Sequence, residues 1–195
     1  MSKTLMMIPP PPDGYQPAIR FVYPKIMLNL AAILLLLIIV PILLVVSWLL
    51  QGLSLDFLRL HTMWELPLIL VTLIATITVH ELVHGLTYKW LGYRVTYGVS
   101  WQLFAAYAAA FGQFQTRNHN LLTALTPLLS LTILLLPLLT ISHPTIALLG
   151  FLSILFNIGG SVGDIYLAWR LLNLPPQTLM YDHDVTTMLI YLRET

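Results

Sequence analysis

The chain has 195 residues, of which 58% are apolar and only 9% are charged, with a net charge of +1. Soluble domains carry about 25% charged residues, so this chain has too little polar surface to enclose a water-soluble protein. A nucleic-acid binder would need a clustered basic surface, and a thiolate metal site, a disulfide or a cysteine nucleophile would need cysteine, which is absent. The composition predicts an integral, multi-pass membrane protein that has the lipid bilayer as a partner and does not bind nucleic acid.

Four apolar segments are long enough to cross a bilayer core of about 30 Å. The predicted spans are residues 26–50, 66–90, 121–141 and 145–172. A proline-rich tail, residues 1–25, precedes them and is expected to be disordered. The sequence therefore predicts a membrane domain over residues 26–173, followed by a second tail over residues 174–195.

Two stretches outside the spans show the alternation of apolar and polar residues that is typical of β-strands. Residues 93–99 alternate strictly, and with residues 104–114 they are predicted to form a membrane-associated β-hairpin between the second and third spans. In the second tail, residues 179–181 and 188–191 are predicted to pair as a small hairpin around residues 182–184. The predicted fold class is an all-α polytopic membrane protein with about four transmembrane helices and these small β additions.

The basic residues predict the orientation of the spans. Eight of the nine Lys and Arg residues fall on the side of the N terminus, and only Arg59 falls on the other side. Basic residues concentrate in cytoplasmic loops, so both termini are expected to be cytoplasmic, in a plasma membrane. The eight are Lys3, Arg20, Lys25, Lys89, Arg94, Arg117, Arg170 and Arg193.

The second span contains the motif His80-Glu81-Leu82-Val83-His84. Ionisable groups inside a span cost about 2.5–3.5 kcal/mol each on insertion scales and are usually functional. Positions i and i+4 share one face of a helix, so both imidazoles can bind the same ion while Glu81 activates a water molecule as general base. The alternative is a structural role, in which Glu81 pairs with a protonated histidine and joins two helices.

Two histidines need a third protein ligand to form a hydrolytic zinc site. Asp164 is the best candidate, because its predicted depth in the fourth span matches that of His80 and His84. Asn157, two turns earlier on the same helix, is predicted to hydrogen-bond either the substrate backbone or a neighbouring helix. Weaker ligand candidates lie outside the spans, namely His119, His143, Asp182 and His183.

These features resemble the intramembrane site-2 proteases. His80-Glu81-Leu82-Val83-His84-Gly85 lies late in a span and is followed by a strand-like insert, another span and a Gly-rich helix with Asp164. More closely, residues 66–191 resemble the "putative zincin peptidase" family of small bacterial membrane proteins. The resemblance implies one zinc ion bound by His80, His84 and Asp164, with Glu81 as general base. It also implies a bacterial membrane, and substrate-presenting strands near residues 93–99.

The function expected from the sequence is a zinc-dependent intramembrane endopeptidase acting on a membrane protein or peptide near the cytoplasmic side. A second hypothesis is a proton- or ion-coupled transporter that uses the same His, Glu and Asp residues as titrating groups. The absence of an internal repeat disfavours the common transporter plans. A third hypothesis is an inactive protease-like protein that binds partners, which the intact Glu81 disfavours.

Overall fold

The computed structural model describes residues 8–52, 54–100 and 105–194. Five helices form most of the molecule, and two short 3-10 turns, Asp56–Leu58 and Leu136–Thr140, extend the connections between them. The helices are α1 (Lys25–Leu50), α2 (Glu65–Trp90), α3 (Arg117–Leu135), α4 (Pro144–Gly160) and α5 (Val162–Leu172). The strands are β1 (Ile19–Phe21), β2 (Thr96–Ser100), β3 (Ala105–Ala109), β4 (Phe114–Thr116), β5 (Leu179–Asp184) and β6 (Thr187–Tyr191).

Three helical segments are long and apolar enough to cross a membrane, and α4 with α5 makes a fourth if the bent pair is one span. The three are α1, α2 and the stretch from α3 through its 3-10 extension. Only 11% of the most apolar stretch of α1, and 11% of that of α2, is buried inside the protein. Such exposed apolar surfaces suit a lipid environment far better than water.

The predicted fourth span is not one straight helix. Helix α4 ends at Gly160, Ser161 interrupts the helix, and α5 continues at an angle of 41°. Kinks occur where glycine and serine weaken the regular hydrogen-bond ladder, and this break falls at Gly159-Gly160-Ser161. The bend places Asp164 in the first turn of a new helix.

The predicted mostly helical architecture with a small hairpin is confirmed, but the class all-α is too narrow, because the described residues also form two antiparallel sheets. One sheet has four strands in the order β1-β6-β5-β4, and the other pairs β2 with β3. The tail hairpin is confirmed, although residues 182–184 continue β5 and the turn falls at residues 185–186. The hairpin between the second and third spans is also confirmed, while residue 104, where its second strand was predicted to begin, lies outside the described residues.

The prediction of disorder in the first tail is wrong for β1. Ile19, Arg20 and Phe21 pair with β6, and the Tyr191 hydroxyl donates to the Pro9 carbonyl at 2.9 Å. Phe21 is buried together with residues of α5, β5 and β6, so an apolar side chain anchors the strand. We call the end of the helices that carries this sheet the sheet end; both described termini lie there.

The helix with the His-Glu-x-x-His motif packs against the rest of the protein along one side. Helix α2 packs against α3, α4 and β3. A first apolar core, around Phe57, Leu139 and Phe151, stabilises the end of the bundle opposite the sheet. A second core, around Leu171, Met180 and Ile190, fixes α5 against the sheet. The first core includes Ile69 of α2, whereas the second fixes α5, which carries Asp164, against the sheet.

Candidate metal centre

The structure brings the three predicted metal ligands together. His80 and His84 lie on one face of α2, each 8% exposed, with their ring centres 4.8 Å apart. Asp164 Oδ2 lies 3.2 Å from His80 Nε2 and 3.5 Å from His84 Nε2. Two imidazole nitrogens and a carboxylate oxygen from two separate helices therefore converge on one point.

The break between α4 and α5 positions Asp164 beside the two histidines. The Ser161 backbone N–H donates to the carbonyls of Asn157 and Ile158, and its hydroxyl donates to the Asn157 carbonyl at 2.7 Å. These bonds close the last turn of α4, and the Ile165 N–H donates back to the Ser161 carbonyl as α5 begins. Since Asp164 lies in the first turn of α5, its position depends on the direction in which the chain restarts.

Both histidines are oriented through their second ring nitrogen. His80 Nδ1 donates to Asn157 Oδ1 at 2.9 Å, and His84 Nδ1 donates to the Thr123 carbonyl at 2.9 Å. An oxygen acceptor at Nδ1 holds the proton there and leaves the Nε2 lone pair free for a metal ion. In both residues Nε2 is the atom that faces Asp164.

Asn157 is fully engaged by the protein. Its Oδ1 accepts from His80, and its Nδ2 contacts the Leu128 carbonyl at 3.2 Å and the Thr132 hydroxyl at 3.0 Å. The residue is 1% exposed. Of the two roles predicted for Asn157, the contacts support the bond to a neighbouring helix; substrate binding stays a prediction. Asn157 is a positioning residue for His80 that also ties α4 to α3.

The acceptor for His84 exists because of a proline that the sequence reasoning missed. Pro127 lies four residues after Thr123 in α3 and has no N–H, so it cannot donate to the Thr123 carbonyl as a helix residue normally does. That carbonyl accepts from His84 instead. The available signal was a proline inside an apolar helix, which leaves a backbone acceptor without its helical donor.

Replacing Pro127 with Ala is expected to weaken zinc binding about 10–100-fold, the usual effect of losing an outer contact to a metal-binding histidine. The new N–H would donate to the Thr123 carbonyl and compete with His84 Nδ1. Zinc affinity is measured by competition with a chelator. Pro41→Ala makes the same change within α1 and should leave the affinity unaltered. An unchanged affinity in Pro127→Ala would contradict this role.

Glu81 lies beside the histidines and contacts the hairpin. One ligand atom from each of His80, Glu81 and His84 lies within a 4.8 Å cluster. Glu81 Oε2 accepts a hydrogen bond from the Ala108 backbone N–H at 3.0 Å. Within the hairpin, β3 is thus the strand that hydrogen-bonds Glu81, while substrate presentation by the stretch at residues 93–99 stays a prediction.

The other hairpin strand is held against α2 through a glycine. A Cβ atom at Gly85, the residue after His84, would overlap the ring of Tyr97 in β2. The absence of a side chain at this position lets the hairpin approach the helix closely. Gly85 therefore contributes to the position of β3 over Glu81, through its partner strand β2.

The donor set fits a zinc ion. His80 Nε2, His84 Nε2 and Asp164 Oδ2 are all electron-rich acceptors, and 3.2–3.5 Å separates the carboxylate from each nitrogen. With both Nδ1 protons directed away from the cluster, a cation is the natural partner for the three atoms. Two imidazoles and one carboxylate are a common catalytic zinc set and leave a coordination position for water.

The weaker candidates lie elsewhere. His119 Nδ1 contacts the Tyr93 hydroxyl at 2.8 Å, and His143 precedes α4 at the end of the bundle opposite the sheet. His183 lies in β5, next to the buried Asp182. The structure places none of these four within the cluster.

A comparison with known families identifies the chain. A family model described as "Putative zincin peptidase" matches residues 73–179, which include the motif, the hairpin and Asp164. No curated protein and no solved structure gives a significant match. The matched range exceeds half of the chain, and the His-Glu-His cluster agrees with a zinc metallopeptidase. The chain therefore belongs to the "Putative zincin peptidase" family.

Proposed function

We propose that the chain is a zinc-dependent intramembrane endopeptidase that cleaves membrane proteins or peptides near the cytoplasmic side. The observation that carries the proposal is the convergence of His80, His84 and Asp164 beside Glu81, with each histidine oriented through Nδ1. The apolar helices support a multi-pass membrane protein, and the distribution of basic residues along the sequence supports cytoplasmic termini. The bacterial plasma membrane is proposed from the family resemblance.

The protein's own residues divide the reaction between them. His80, His84 and Asp164 would hold the zinc ion, which polarises the peptide carbonyl and acidifies a water molecule. Glu81 accepts the proton of the attacking water and passes it to the leaving amine. The Ala108 N–H, which donates to Glu81 Oε2, fixes the direction of the carboxylate while its other oxygen takes part in proton transfer.

Two cavities meet at the cluster. A membrane-side cavity of about 310 Å³ is lined by Thr76, Ile77, Phe156 and Gly160. A sheet-side cavity of about 220 Å³ extends toward the β5–β6 turn. Both are lined by Glu81, His84, Asp164 and Ala106. This arrangement supports a route in which an unwound substrate segment comes from the membrane, passes the cluster and leaves at the sheet end.

The β3 strand offers an edge for the unwound segment. Its register with β2 pairs Gly98 with Tyr107, and the Ala108 N–H is directed at Glu81 instead of at β2. The Ala108 backbone N–H therefore faces the cluster from the edge of β3 that is not paired with β2. An extended substrate could pair with this edge, as peptides do when they add a strand to a sheet.

Zinc content and cleavage of a membrane-embedded reporter substrate test the proposed function. Purified wild type is expected to hold one zinc ion and to cleave the reporter. Chelation should abolish cleavage, and added zinc should restore it, because the three ligands belong to one catalytic site. Wild type that binds zinc but cleaves no membrane substrate would favour the inactive, partner-binding alternative. Wild type that binds no metal would remove the basis of the proposal.

Gly160→Leu is expected to reduce kcat/KM at least about tenfold, because it fills the membrane-side cavity through which the substrate is proposed to pass. A Cβ at Gly160 meets no described atom within 4 Å, so the helix can accept the change. Gly163→Leu is the matched control, since it also has open space but does not line that cavity. Zinc content is measured in both variants and the cleavage rate is expressed per bound zinc, because both glycines lie near the break that positions Asp164. Normal cleavage by Gly160→Leu would exclude this route.

A further inference from the structure

The sheet-side cavity connects the metal ligands to the sheet. Its inner wall carries Glu81, His84 and Asp164, and its outer wall is formed by the β5–β6 hairpin, including Asp182 and Asp184. Helix α3 forms a third wall, with Asn120, Thr123 and Ala124. A substrate segment that passes the metal toward the sheet end would place its next side chains here.

The outer part of this cavity is acidic. Asp182 is 7% exposed in the wall, and Asp184 lies at the exposed rim. Among the described residues, no Lys or Arg lines the cavity. Arg20 reaches only the rim, where its guanidinium donates to the Thr187 hydroxyl at 3.2 Å, and its own side chain is exposed. A divalent metal ion would offset Glu81 and Asp164, which leaves Asp182 and Asp184 as the remaining carboxyl groups of the cavity.

Two buried oxygens in the same cavity wall lack partners. Asn120 and Thr123 are 1% and 2% exposed, and neither Asn120 Oδ1 nor Thr123 Oγ1 has a hydrogen-bond partner within the described ranges. Both oxygens are enclosed by protein atoms, so they lie behind the cavity surface and do not themselves face the free space. Recognition of a ligand in this cavity therefore depends on Asp182 and Asp184.

The surroundings of Asp182 are consistent with a cationic ligand. Burial raises the pKa of its carboxyl, although hydrogen bonds from the Gln115 side chain, at 2.9 Å, and from the Ala110 backbone lower it. Both donors are neutral. A positively charged group in the cavity would favour the ionised form of Asp182 and would be attracted by it.

We propose that the sheet-side cavity binds a Lys or Arg side chain next to the scissile bond, so that the substrates are membrane segments cut at their basic cytoplasmic flank. This inference rests on the proposed function. The apolar part of such a segment fits the membrane-side cavity, and its basic flank fits the acidic cavity beyond the cluster. Membrane segments carry Lys and Arg on the cytoplasmic side, where the sheet end is proposed to lie.

Peptide binding to zinc-loaded Glu81→Gln protein in lipid nanodiscs tests the inference without cleavage. The probes are fluorescent peptides of about 20 apolar residues followed by two Lys, two Gln or two Glu residues, compared by anisotropy at fixed salt. The Lys peptide is expected to bind at least about tenfold more tightly than the Gln peptide, because a hydrogen bond to a charged group contributes more free energy than one between neutral groups. The Glu peptide should bind more weakly than the Gln peptide.

Two substitutions assign the preference to the cavity. Asp182→Asn together with Asp184→Asn should reduce the Lys preference to within about twofold, with zinc content unchanged. Asp184→Asn alone, at the exposed rim, tests the charge without disturbing the Gln115 contact and should lower the preference by about threefold. Asp13→Asn removes an exposed carboxylate elsewhere in the first tail and should leave the preference intact.

Equal affinity for the Lys and Glu peptides would overturn the inference, and so would a Lys preference that survives the double substitution. The readout is separate from the test of the proposed function. Absence of cleavage by the wild-type protein would refute the peptidase proposal. The binding experiment would still decide whether the cavity selects basic side chains. Cleavage of Lys and Glu substrates at equal rates would refute the selectivity alone.

Discussion

Glu81→Gln protein is expected to retain zinc and to lose peptide hydrolysis by about 10²–10⁴-fold, the usual contribution of a positioned general base. Glutamine has nearly the same shape, and its side-chain oxygen can still accept from the Ala108 N–H, so the contact with β3 should remain. An amide cannot take the proton of the attacking water. Cleavage rate and zinc content are measured on the same purified sample.

Glu65→Gln provides the matched control on the same helix. Glu65 is buried at the other end of α2, where its carboxylate accepts from the His61 N–H and the Thr145 hydroxyl. Its replacement should leave the catalytic rate of the folded protein unaltered. Near-normal cleavage by Glu81→Gln would show that another residue acts as the general base. Loss of zinc in that variant would make Glu81 a ligand, because it belongs to the same 4.8 Å cluster as the histidines.

Asp164→Ala is expected to lower zinc affinity strongly, because it removes a direct ligand. Loss of an outer contact typically costs about 10–100-fold, and the loss of this ligand should cost more. His84→Ala should have an effect of similar size, because both residues contribute one of the three converging atoms. Cleavage should fall with zinc occupancy and recover in part when zinc is added in excess. The measurement is a zinc titration against a competing chelator.

The control for Asp164→Ala is Asp56→Ala, which removes an exposed carboxylate at the end of the bundle opposite the sheet. It should not change zinc affinity. If the zinc affinity of Asp164→Ala is unchanged, the third ligand must be another group, and Glu81 is the nearest alternative in the cluster. That outcome would leave the zinc site intact but would change the assignment of the base.

The same variants separate the three functional hypotheses. A peptidase needs zinc and Glu81 for the same activity. A proton- or ion-coupled transporter would show transport that depends on the titrating groups and no zinc-dependent cleavage. An inactive binding protein would keep zinc and its partners after Glu81→Gln without any change in function.

Local sequence patterns correctly predicted several parts of the fold. The bounds of α1 and α2 agree with the predicted spans to within a residue, because long apolar runs leave little choice of structure. The pairing of β2 with β3, and of β5 with β6, followed from alternation and short connections. What the patterns could not predict was that β1 joins β6, since that contact links chain segments about 170 residues apart.

The sequence by itself determined which residues of the site share a helix face. The spacing of His80 and His84 is a local property of an α-helix, and the charge scarcity of the chain made them stand out inside a span. Only the tertiary structure decided the rest of the centre. The bend at Ser161 sets the approach of Asp164, Pro127 frees the Thr123 carbonyl for His84, and β3 contacts Glu81. Each depends on how separate segments pack, which no local periodicity encodes.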